Sequence, residues 1–413
     1  MDDAALRRIA DWLLAFQPPS TPRRGEAWYD EARTPPDHGE LLLEGLAERL
    51  VSAGLPLWQC SFNLFLQHPE VFGHALTWVR GKGCERVSKT YTAVQHVTDD
   101  DSPMPAIKRG GLAQRCRLEG PHPAVPWRMV QRLAAQGATD FFVMPLRFTD
   151  DRRSFLYVVS DAPGGFSDAQ LASLQGLAPA LCLRVELASA YASTRELLEV
   201  YLGSNASARV LDGTFRRGTG ELIEAVIWMC DLRGFTTLVD RRPVGEVIPL
   251  LNVYFERVAA PVEDRGGEIL KFVGDAVLAI FPVHGSPTDA CRRALASAED
   301  GLAALASLNA ERTDLALAMG IALHRGEVMY GNIGARTRLD FTVIGRAVNE
   351  VARVEALCKA LGVPLLATSE FAHALDEPLV SLGDHSLRGV AMAQELFTLP
   401  RLAPRALPPE SGS

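Results

Sequence analysis

The stretch EILKFVGDAVLAIFP, from Glu268 to Pro282, restricts the fold of this chain more than any other segment. Its Val, Ile and Phe residues favour two β-strands, and the Gly274-Asp275 pair between them is typical of a tight hairpin turn. Two charges, Lys271 and Asp275, lie inside an otherwise apolar run. On one interpretation, Asp275 is only a turn residue, and the Lys271 side chain extends its ammonium group to solvent. Their interpretation therefore depends on the rest of the chain.

Strand-like and helical segments alternate on both sides of this hairpin. The segments AVIWMCDL, LALAMGIALH, DFTVIG and VPLLAT have the composition of strands, and patterns with helical periodicity separate them. Such βαβ-like passes with hairpins predict a sheet covered on one side by helices, as in ferredoxin-like folds. The N-terminal half predicts a helix, several antiparallel strands and one long exit helix over residues 166–203, which is also an α+β arrangement.

The length of 413 residues predicts two or three domains. Pro-rich and Gly/Asn/Ser-rich segments suggest where the boundaries lie. We predict an N-terminal arm (1–36), a first folded domain (37–187), a helical linker (188–222), a second folded domain (223–400) and a disordered tail (401–413).

Composition excludes several classes of protein. The formal net charge of -8 argues against nucleic-acid or anionic-membrane binding through bulk charge. The seven cysteines form no CxxC pair and no zinc spacing, which is typical of reduced, buried thiols. No uncharged apolar run approaches the length that spans a bilayer. We therefore expect a cytoplasmic protein with no membrane span.

Two aspartates of the second domain lie at predicted strand ends. Asp231 ends one strand, and Gly234 then leads into a helix that begins near Phe235 and Thr236, whose backbone amides could face phosphate oxygens. Alone, Asp231 could be a helix N-cap. The hairpin, however, contributes Asp275 on a neighbouring strand. Two adjacent carboxylates repel unless cations lie between them, as in two-metal phosphoryl-transfer sites.

A third group of polar residues follows the strand DFTVIG. Thr342 places a hydroxyl in this apolar strand, and Asn349 and Arg353 stand four residues apart on one face of the next predicted helix. By itself, the Asn349 and Arg353 pair would be a solvated polar face.

Together these segments resemble the catalytic domain of the class III nucleotidyl cyclases. The resemblance runs from about Ala225 to Thr398 and rests on DLRGFT, GGEILKFVGDAVLAIFP, GIALHRGEVMYGNIG and RLDFTVIGRAVNEVARVE, in that order. It implies that Asp231 and Asp275 bind two Mg²⁺ or Mn²⁺ ions per site, with the Leu232 carbonyl as a further ligand.

The resemblance also implies the groups that bind the nucleotide. Asn349 would orient the ribose, and Arg353 would stabilise the transition state. Arg338 falls where the family often has a phosphate-binding Arg, with Arg336 as a second candidate. Arg388 stands where the family more often has Lys, a change that keeps the charge but alters the geometry.

The expected purine follows from the hydrogen-bond donors and acceptors that adenine and guanine present. The resemblance assigns Lys271 and Thr342 to the purine. Adenine N1 accepts from an ammonium, and its exocyclic amine suits the hydroxyl, whereas guanine presents donors to Lys271. Asp340 lies two residues before Thr342 and could accept from the adenine amine instead. ATP is therefore the expected substrate, and cyclic AMP and pyrophosphate are the expected products.

The family serves each site from two subunits, so one catalytic domain per chain implies a head-to-tail homodimer with shared sites. The end of the first domain, FFVMPLRFTDDRRSFLYVVSDAPGGFSDAQLASLQGLAPALCLRVEL, resembles GAF-type sensor domains. We expect this domain to be regulatory, with an unidentified small-molecule or protein regulator. The alternatives are a guanylate cyclase and a catalytically silent nucleotide-binding signalling module.

Overall fold

The computed structural model describes residues 2–17, 38–119, 127–150, 152–213, 216, 218–312, 316–387 and 392–404. These residues form two compact units, Met1–Leu197 and Leu198–Ser413. The division falls inside the segment predicted as a linker. Most of the predicted arm and most of the predicted tail lie outside the described residues. The exact domain bounds stay predictions.

The first unit combines helices with six strands. Its helices are α1 (Asp3–Ala15), α2 (His38–Ser52), α3 (Tyr91–Val94), α4 (Met104–Lys108), α5 (Arg128–Ala135), α6 (Asp168–Gly176) and α7 (Ala178–Leu202), whose last turn belongs to the second unit. Its strands are β1 (Gln59–Phe65), β2 (Val71–Val79), β3 (Gly83–Thr90), β4 (Gln114–Arg117), β5 (Asp140–Arg147) and β6 (Arg153–Ser160).

These strands form one antiparallel sheet in the order β3-β2-β1-β6-β5-β4. Alternate residues of β5 point to opposite faces, as the period of a strand requires. Phe142 and Met144 join a core with α1, α2, α6 and α7, while Phe141 and Val143 join a second core with α4 and α5. The predicted mixed α/β character is confirmed, and the resemblance to GAF-type domains stays a prediction.

The predicted single exit helix is wrong. Two helices, α6 and α7, meet at Leu177 with a bend of 51°. Pro179 lies in the first turn of α7, where it has no amide hydrogen to donate and its ring blocks continuation of the preceding helix. Gly176, at the end of α6, adds a residue of low helix propensity.

Within the part of the chain that the structure describes, no single helix is both long and apolar enough to cross a bilayer. The bent pair of α6 and α7 meets this criterion jointly, by length and composition only.

The second unit contains the hairpin. Its helices are α8 (Ser204–Leu211), α9 (Phe235–Arg241), α10 (Val244–Asp264), α11 (Pro287–Glu311), α12 (Arg346–Ala360) and α13 (Ser369–Ala372), with a short 3-10 helix, Pro400–Leu402. Its strands are β7 (Gly220–Arg233), β8 (Glu268–Val273), β9 (Ala276–Pro282), β10 (Ala318–Ala335), β11 (Arg338–Ile344), β12 (Leu365–Thr368), β13 (Val380–His385) and β14 (Gln394–Thr398).

The eight strands form one sheet in the order β13-β14-β12-β10-β7-β9-β8, with β11 paired to β10. Helices cover both faces, so the prediction of helices on one side is wrong. On β7, Trp228 and Cys230 join the core formed with α10 and α11, whereas Ala225 and Ile227 join the core formed with α8 and α12. The central strands are apolar on both faces for this reason.

The predicted hairpin is confirmed. Strands β8 and β9 pair antiparallel, with Val273 opposite Ala276. Gly274 has a φ of 65°, a left-handed conformation that glycine adopts without steric penalty. This turn delivers Asp275 to the end of β9, next to β7 in the sheet.

Candidate active site

The two aspartates predicted from separate motifs lie together. Strand β7 pairs with β9, and Cys230 is opposite Val277, so Asp231 and Asp275 occupy neighbouring strand ends. Their carboxylates lie within hydrogen-bonding reach of one another. Burial, and next the contact with Asp231, raise the pKa of Asp275 to about 6. Two carboxylates this close must share a proton or a cation.

The chain after β7 surrounds these carboxylates with backbone amides. The Leu232 amide donates to Asp231 Oδ1 at 3.0 Å and also lowers the pKa of Asp275 by hydrogen bonding to it. The predicted role of the Leu232 carbonyl as a metal ligand stays a prediction. Gly234 has a φ of 74° and turns the chain into α9. Phe235 packs against the core, and the side chain of Thr236 lies outside the described residues. Phosphate binding by their backbone amides stays a prediction.

A third carboxylate, which no sequence motif indicates, lies near this pair. Glu355, on α12, has its pKa raised to about 7, first by burial and then by the charge of Asp231, while Arg233 opposes the shift. Its carboxylate packs against Gly320, which pairs with Asp231 across β10 and β7: a Cβ at Gly320 would lie 2.6 Å from Glu355 Oε1. The sequence holds no signal for this proximity, since it depends on how α12 crosses β10.

The predicted purine-binding residues lie on β8 and β11. Lys271 is ion-paired with Asp340. Thr342 is buried, and its Oγ1 has no hydrogen-bond partner among the described residues. An orphaned buried hydroxyl is rare in a folded protein because it loses its hydrogen bonds to water. The Thr342 hydroxyl therefore has unused hydrogen-bonding capacity, and Asp340 already has a cationic partner.

The predicted transition-state residues have a different environment. Asn349 is exposed in the first turns of α12, and Arg353 is half-buried one turn later. Neither side chain has a hydrogen bond or ion pair to another described residue. Arg338 is exposed at the start of β11, and Arg388 lies outside the described residues.

His324 of β10 has the surroundings of a structural residue. The ring is buried, with Nδ1 2.9 Å from Thr368 Oγ1 and Nε2 3.4 Å from Glu350 Oε2. Burial lowers its pKa. Glu350 also accepts from Arg346 Nε at 2.7 Å. These contacts tie the first turn of α12 to β10, beside Asn349.

The donor set fits a hard divalent cation. Carboxylate oxygens are the preferred ligands of Mg²⁺, which usually binds one or two protein carboxylates and takes its other ligands from water and phosphate. Two crowded carboxylates, of which Asp275 has a raised pKa, meet this description. No cluster of three or more His, Cys, Asp or Glu side chains suited to a metal occurs in the described ranges.

The same segment matches a known family. Residues 221–397 match the family model described as "Adenylate and Guanylate cyclase catalytic domain". These residues form a nucleotide cyclase catalytic domain. The match covers the strands and helices that hold both aspartates, Lys271, Thr342, Asn349 and Arg353, and the predicted resemblance to class III cyclases is confirmed for this part of the chain.

Individual proteins are similar to part of this chain. An adenylate cyclase of Anabaena cylindrica is 33% identical over 165 residues, which are 39% of this chain and 32% of that protein. An uncharacterized protein of Mycobacterium tuberculosis is 38% identical over 197 residues, 46% of this chain and 34% of that protein. The chain thus spans about a third of the length of these curated relatives. A solved bacterial light-regulated adenylyl cyclase is 31% identical, with a TM-score of 0.39, over 44% of this chain and 93% of that chain.

Proposed function

We propose that this protein is an adenylate cyclase, which converts ATP to 3′,5′-cyclic AMP and pyrophosphate in a homodimer with shared sites. The observation that carries the proposal is the contact between the Asp231 and Asp275 carboxylates in the cyclase domain. Such a pair is unfavourable unless positive charge is bound there. The triphosphate of a nucleotide arrives with divalent cations, which supply that charge.

Asp231 and Asp275 would hold two Mg²⁺ or Mn²⁺ ions, and the Leu232 carbonyl is the further ligand that we propose. When bound, these ions lower the pKa of the ribose 3′-hydroxyl and neutralise the phosphates. The protein therefore needs no general base, and His324, buried between Thr368 and Glu350, retains a structural role. The backbone amides that open α9, at Phe235 and Thr236, lie in sequence next to the carboxylates and would bind phosphate oxygens.

Lys271 and Thr342 would bind adenine. The Lys271 ammonium donates to adenine N1, and the Thr342 hydroxyl accepts from the exocyclic amine. Support comes from Thr342 itself, whose Oγ1 is buried without a partner. Asp340 would orient Lys271 through their ion pair.

Asn349 and Arg353 would complete the site of the partner subunit. Both lack hydrogen bonds within the described residues, and a guanidinium positioned for the transition state stabilises the charge that grows on the α-phosphoryl oxygens. Arg338 and Arg388 would bind the remaining phosphate charge. A head-to-tail dimer would form two equivalent sites, and the first unit would regulate them in response to a small molecule or protein.

The first experiment measures cyclic products. Purified full-length protein is incubated with ATP or GTP and Mn²⁺, beside the Asp275→Ala variant. We expect cyclic AMP from the wild-type chain and at most trace product from the variant. Equal product from both proteins, or none from a folded dimeric wild type, contradicts the proposal.

A complementation experiment tests the shared sites. The Asp275→Ala and Arg353→Ala variants, each inactive alone, are mixed and allowed to exchange subunits. Half of the dimers are then mixed, and each mixed dimer has one intact site, so about a quarter of wild-type activity should return. If each site came from one subunit, mixing would restore nothing.

One observation favours GTP as a second candidate substrate. Asp340 places a carboxylate, which only accepts, beside Lys271. Guanine presents N1-H and an amine as donors, and these suit a carboxylate. The product assay separates the two candidates, since cyclic GMP in excess over cyclic AMP at equal substrate concentrations would assign the site to guanine.

A further inference from the structure

The first unit contains a cavity of about 320 Å³ at the end of its sheet where β1 ends and β2 and β6 begin. This volume lies at the lower end of the range for small-molecule sites. Eight residues line it, and they are of three kinds: aromatic, cationic, and neutral. They are Phe65, Phe72, Tyr91, Lys108, Arg152, Arg153, Leu66 and Gln67. No carboxylate is among them.

The aromatic residues form a continuous wall. The Phe65 and Phe72 rings meet edge to face with centroids 5.2 Å apart, and Phe72 meets Tyr91 in the same way at 5.7 Å. Tyr91 is 43% exposed. An exposed aromatic at the rim of a cavity offers a planar apolar surface to a ligand ring, which would stack or pack edge to face against it.

Two of the three cations lack an anionic partner among the described residues. Arg152 is bound to Asp150 and donates to the Phe65 carbonyl at 3.2 Å. Lys108 and Arg153, by contrast, have no carboxylate within ion-pairing distance among the described residues. The Lys108 ammonium lies 4.4 Å from the Phe72 ring centroid, a cation–π contact that is worth about 0.5–1 kcal/mol at exposed sites.

This charge distribution runs against that of the whole chain. The protein has a formal net charge of -8, yet this cavity gathers three cations and excludes acidic side chains. Two cations without a carboxylate partner among the described residues line one cavity, so the arrangement favours an anionic ligand.

We propose that this cavity binds a small planar aromatic anion, that is, an aromatic ring carrying one carboxylate or phosphate group. The ring would pack against Phe72 and Tyr91, and the anion would lie between Lys108 and Arg153. The site lies in the first unit and uses no residue of the cyclase domain, so it is independent of the proposed activity.

Isothermal titration calorimetry on the full-length chain tests this site with four probes. Benzoate and phenyl phosphate carry both a ring and an anion, inorganic phosphate carries the anion alone, and benzyl alcohol carries the ring alone. We expect at least one aromatic anion to bind about tenfold more tightly than either single-feature probe, a difference of about 1.4 kcal/mol. Whichever of benzoate and phenyl phosphate binds more tightly identifies the anionic group, carboxylate or phosphate, that the cavity prefers.

Variants assign the binding to this cavity. Lys108→Glu should weaken binding of the aromatic anion about tenfold or more. Tyr91→Ala should also weaken binding of the aromatic anion but leave binding of inorganic phosphate unchanged. Lys82→Glu is the matched control, because Lys82 is exposed in the turn at the opposite end of β2. Lys108→Gln replaces Lys108→Glu if the latter fails to fold. Absence of saturable aromatic-anion binding, or equal binding by Lys108→Glu and Lys82→Glu, overturns the proposal.

Discussion

Two regions of the molecule hold partly or fully buried carboxylates, and the charge of these carboxylates is compensated in opposite ways. In the first unit, Asp140 is 1% exposed and accepts from Arg115 Nη2 at 2.6 Å, from Arg115 Nε at 3.1 Å and from the Phe166 amide at 3.0 Å. In the cyclase domain, Asp275 faces a second carboxylate, Asp231, and its pKa rises to about 6.

The difference distinguishes a structural carboxylate from one suited to bind a ligand. The hydrogen bonds and the ion pair of Asp140 compensate its desolvation within the fold. The pair in the cyclase domain receives backbone amides but shares its space with a like charge, so the compensating charge must come from outside the chain. The variants below test this contrast.

The largest expected effect is on catalysis. Asp275→Asn should lower kcat by about a thousandfold, because it removes a ligand of the proposed metal ions, which contribute several kcal/mol to transition-state stabilisation. The same change removes the repulsion with Asp231, so the urea midpoint of the metal-free protein should stay constant or rise. Cyclic-product assays and urea denaturation measure the two effects. A large loss of stability would mean that Asp275 is a structural residue.

The matching change in the first unit should lower the stability of the protein, whereas Asp275→Asn should not. Asp140→Asn removes the buried counter-charge of the largely buried Arg115 guanidinium, which keeps only the exposed Asp168 as a partner, and such losses lower the free energy of unfolding by about 3–5 kcal/mol. Urea denaturation followed by tryptophan fluorescence measures this difference. A midpoint equal to that of the wild type would show that the Asp140 ion pair does not stabilise the unit.

The third effect is a dependence on pH, first of the stability of the metal-free domain and then of its affinity for metal ions. The folded chain releases the Asp275 proton near pH 6 and the unfolded chain near 3.8, so the folded state binds more protons between these values. The metal-free domain should therefore lose stability as the pH rises from 4 to 6. Protons compete with Mn²⁺ below pH 6, and the affinity should fall about tenfold from pH 7 to pH 5. The Mn²⁺-induced rise in Tm, measured at both pH values, reports this change. An equal rise at pH 5 and pH 7 contradicts it.

A smaller effect is expected at the proposed purine site. Thr342→Val removes a buried hydroxyl that has no partner, so stability should not fall, while the lost hydrogen bond to adenine should raise KM for ATP about fivefold. Thermal unfolding and initial-rate kinetics measure both quantities. A lower Tm with unchanged KM would assign Thr342 to the fold alone.

The smallest effect should come from Asp340→Asn. The Lys271–Asp340 pair is partly exposed, and such pairs contribute about 0–1 kcal/mol, so KM for ATP should change about threefold or less. A loss of activity comparable to that of Asp275→Asn would instead make Asp340 part of the purine site. Asp289→Asn, at the exposed start of α11, is the control for a simple loss of surface charge.

Local chemistry explains why some features could be predicted from the sequence. A Gly-Asp pair between two apolar strands specifies a hairpin through the backbone freedom of glycine, and the structure has that hairpin at Gly274 and Asp275. The motif order identified the cyclase domain because its polar residues occur at fixed places in strands and helices. The break before Pro179 also had a local signal, which the apolar periodicity of the surrounding residues concealed.

Contacts across the sheet could not be predicted in this way. The approach of Glu355 to Asp231 requires α12 to cross β10 at Gly320, and the pairing of Lys271 with Asp340 requires β8 and β11 to place their side chains together. Likewise, helices cover both faces of the sheet because α8 and α12 pack on the face opposite α10 and α11. The sequence therefore determined which residues could carry out the chemistry, since turn and strand-end chemistry is local. The tertiary structure decided which charges meet, because that depends on packing between segments distant in the chain.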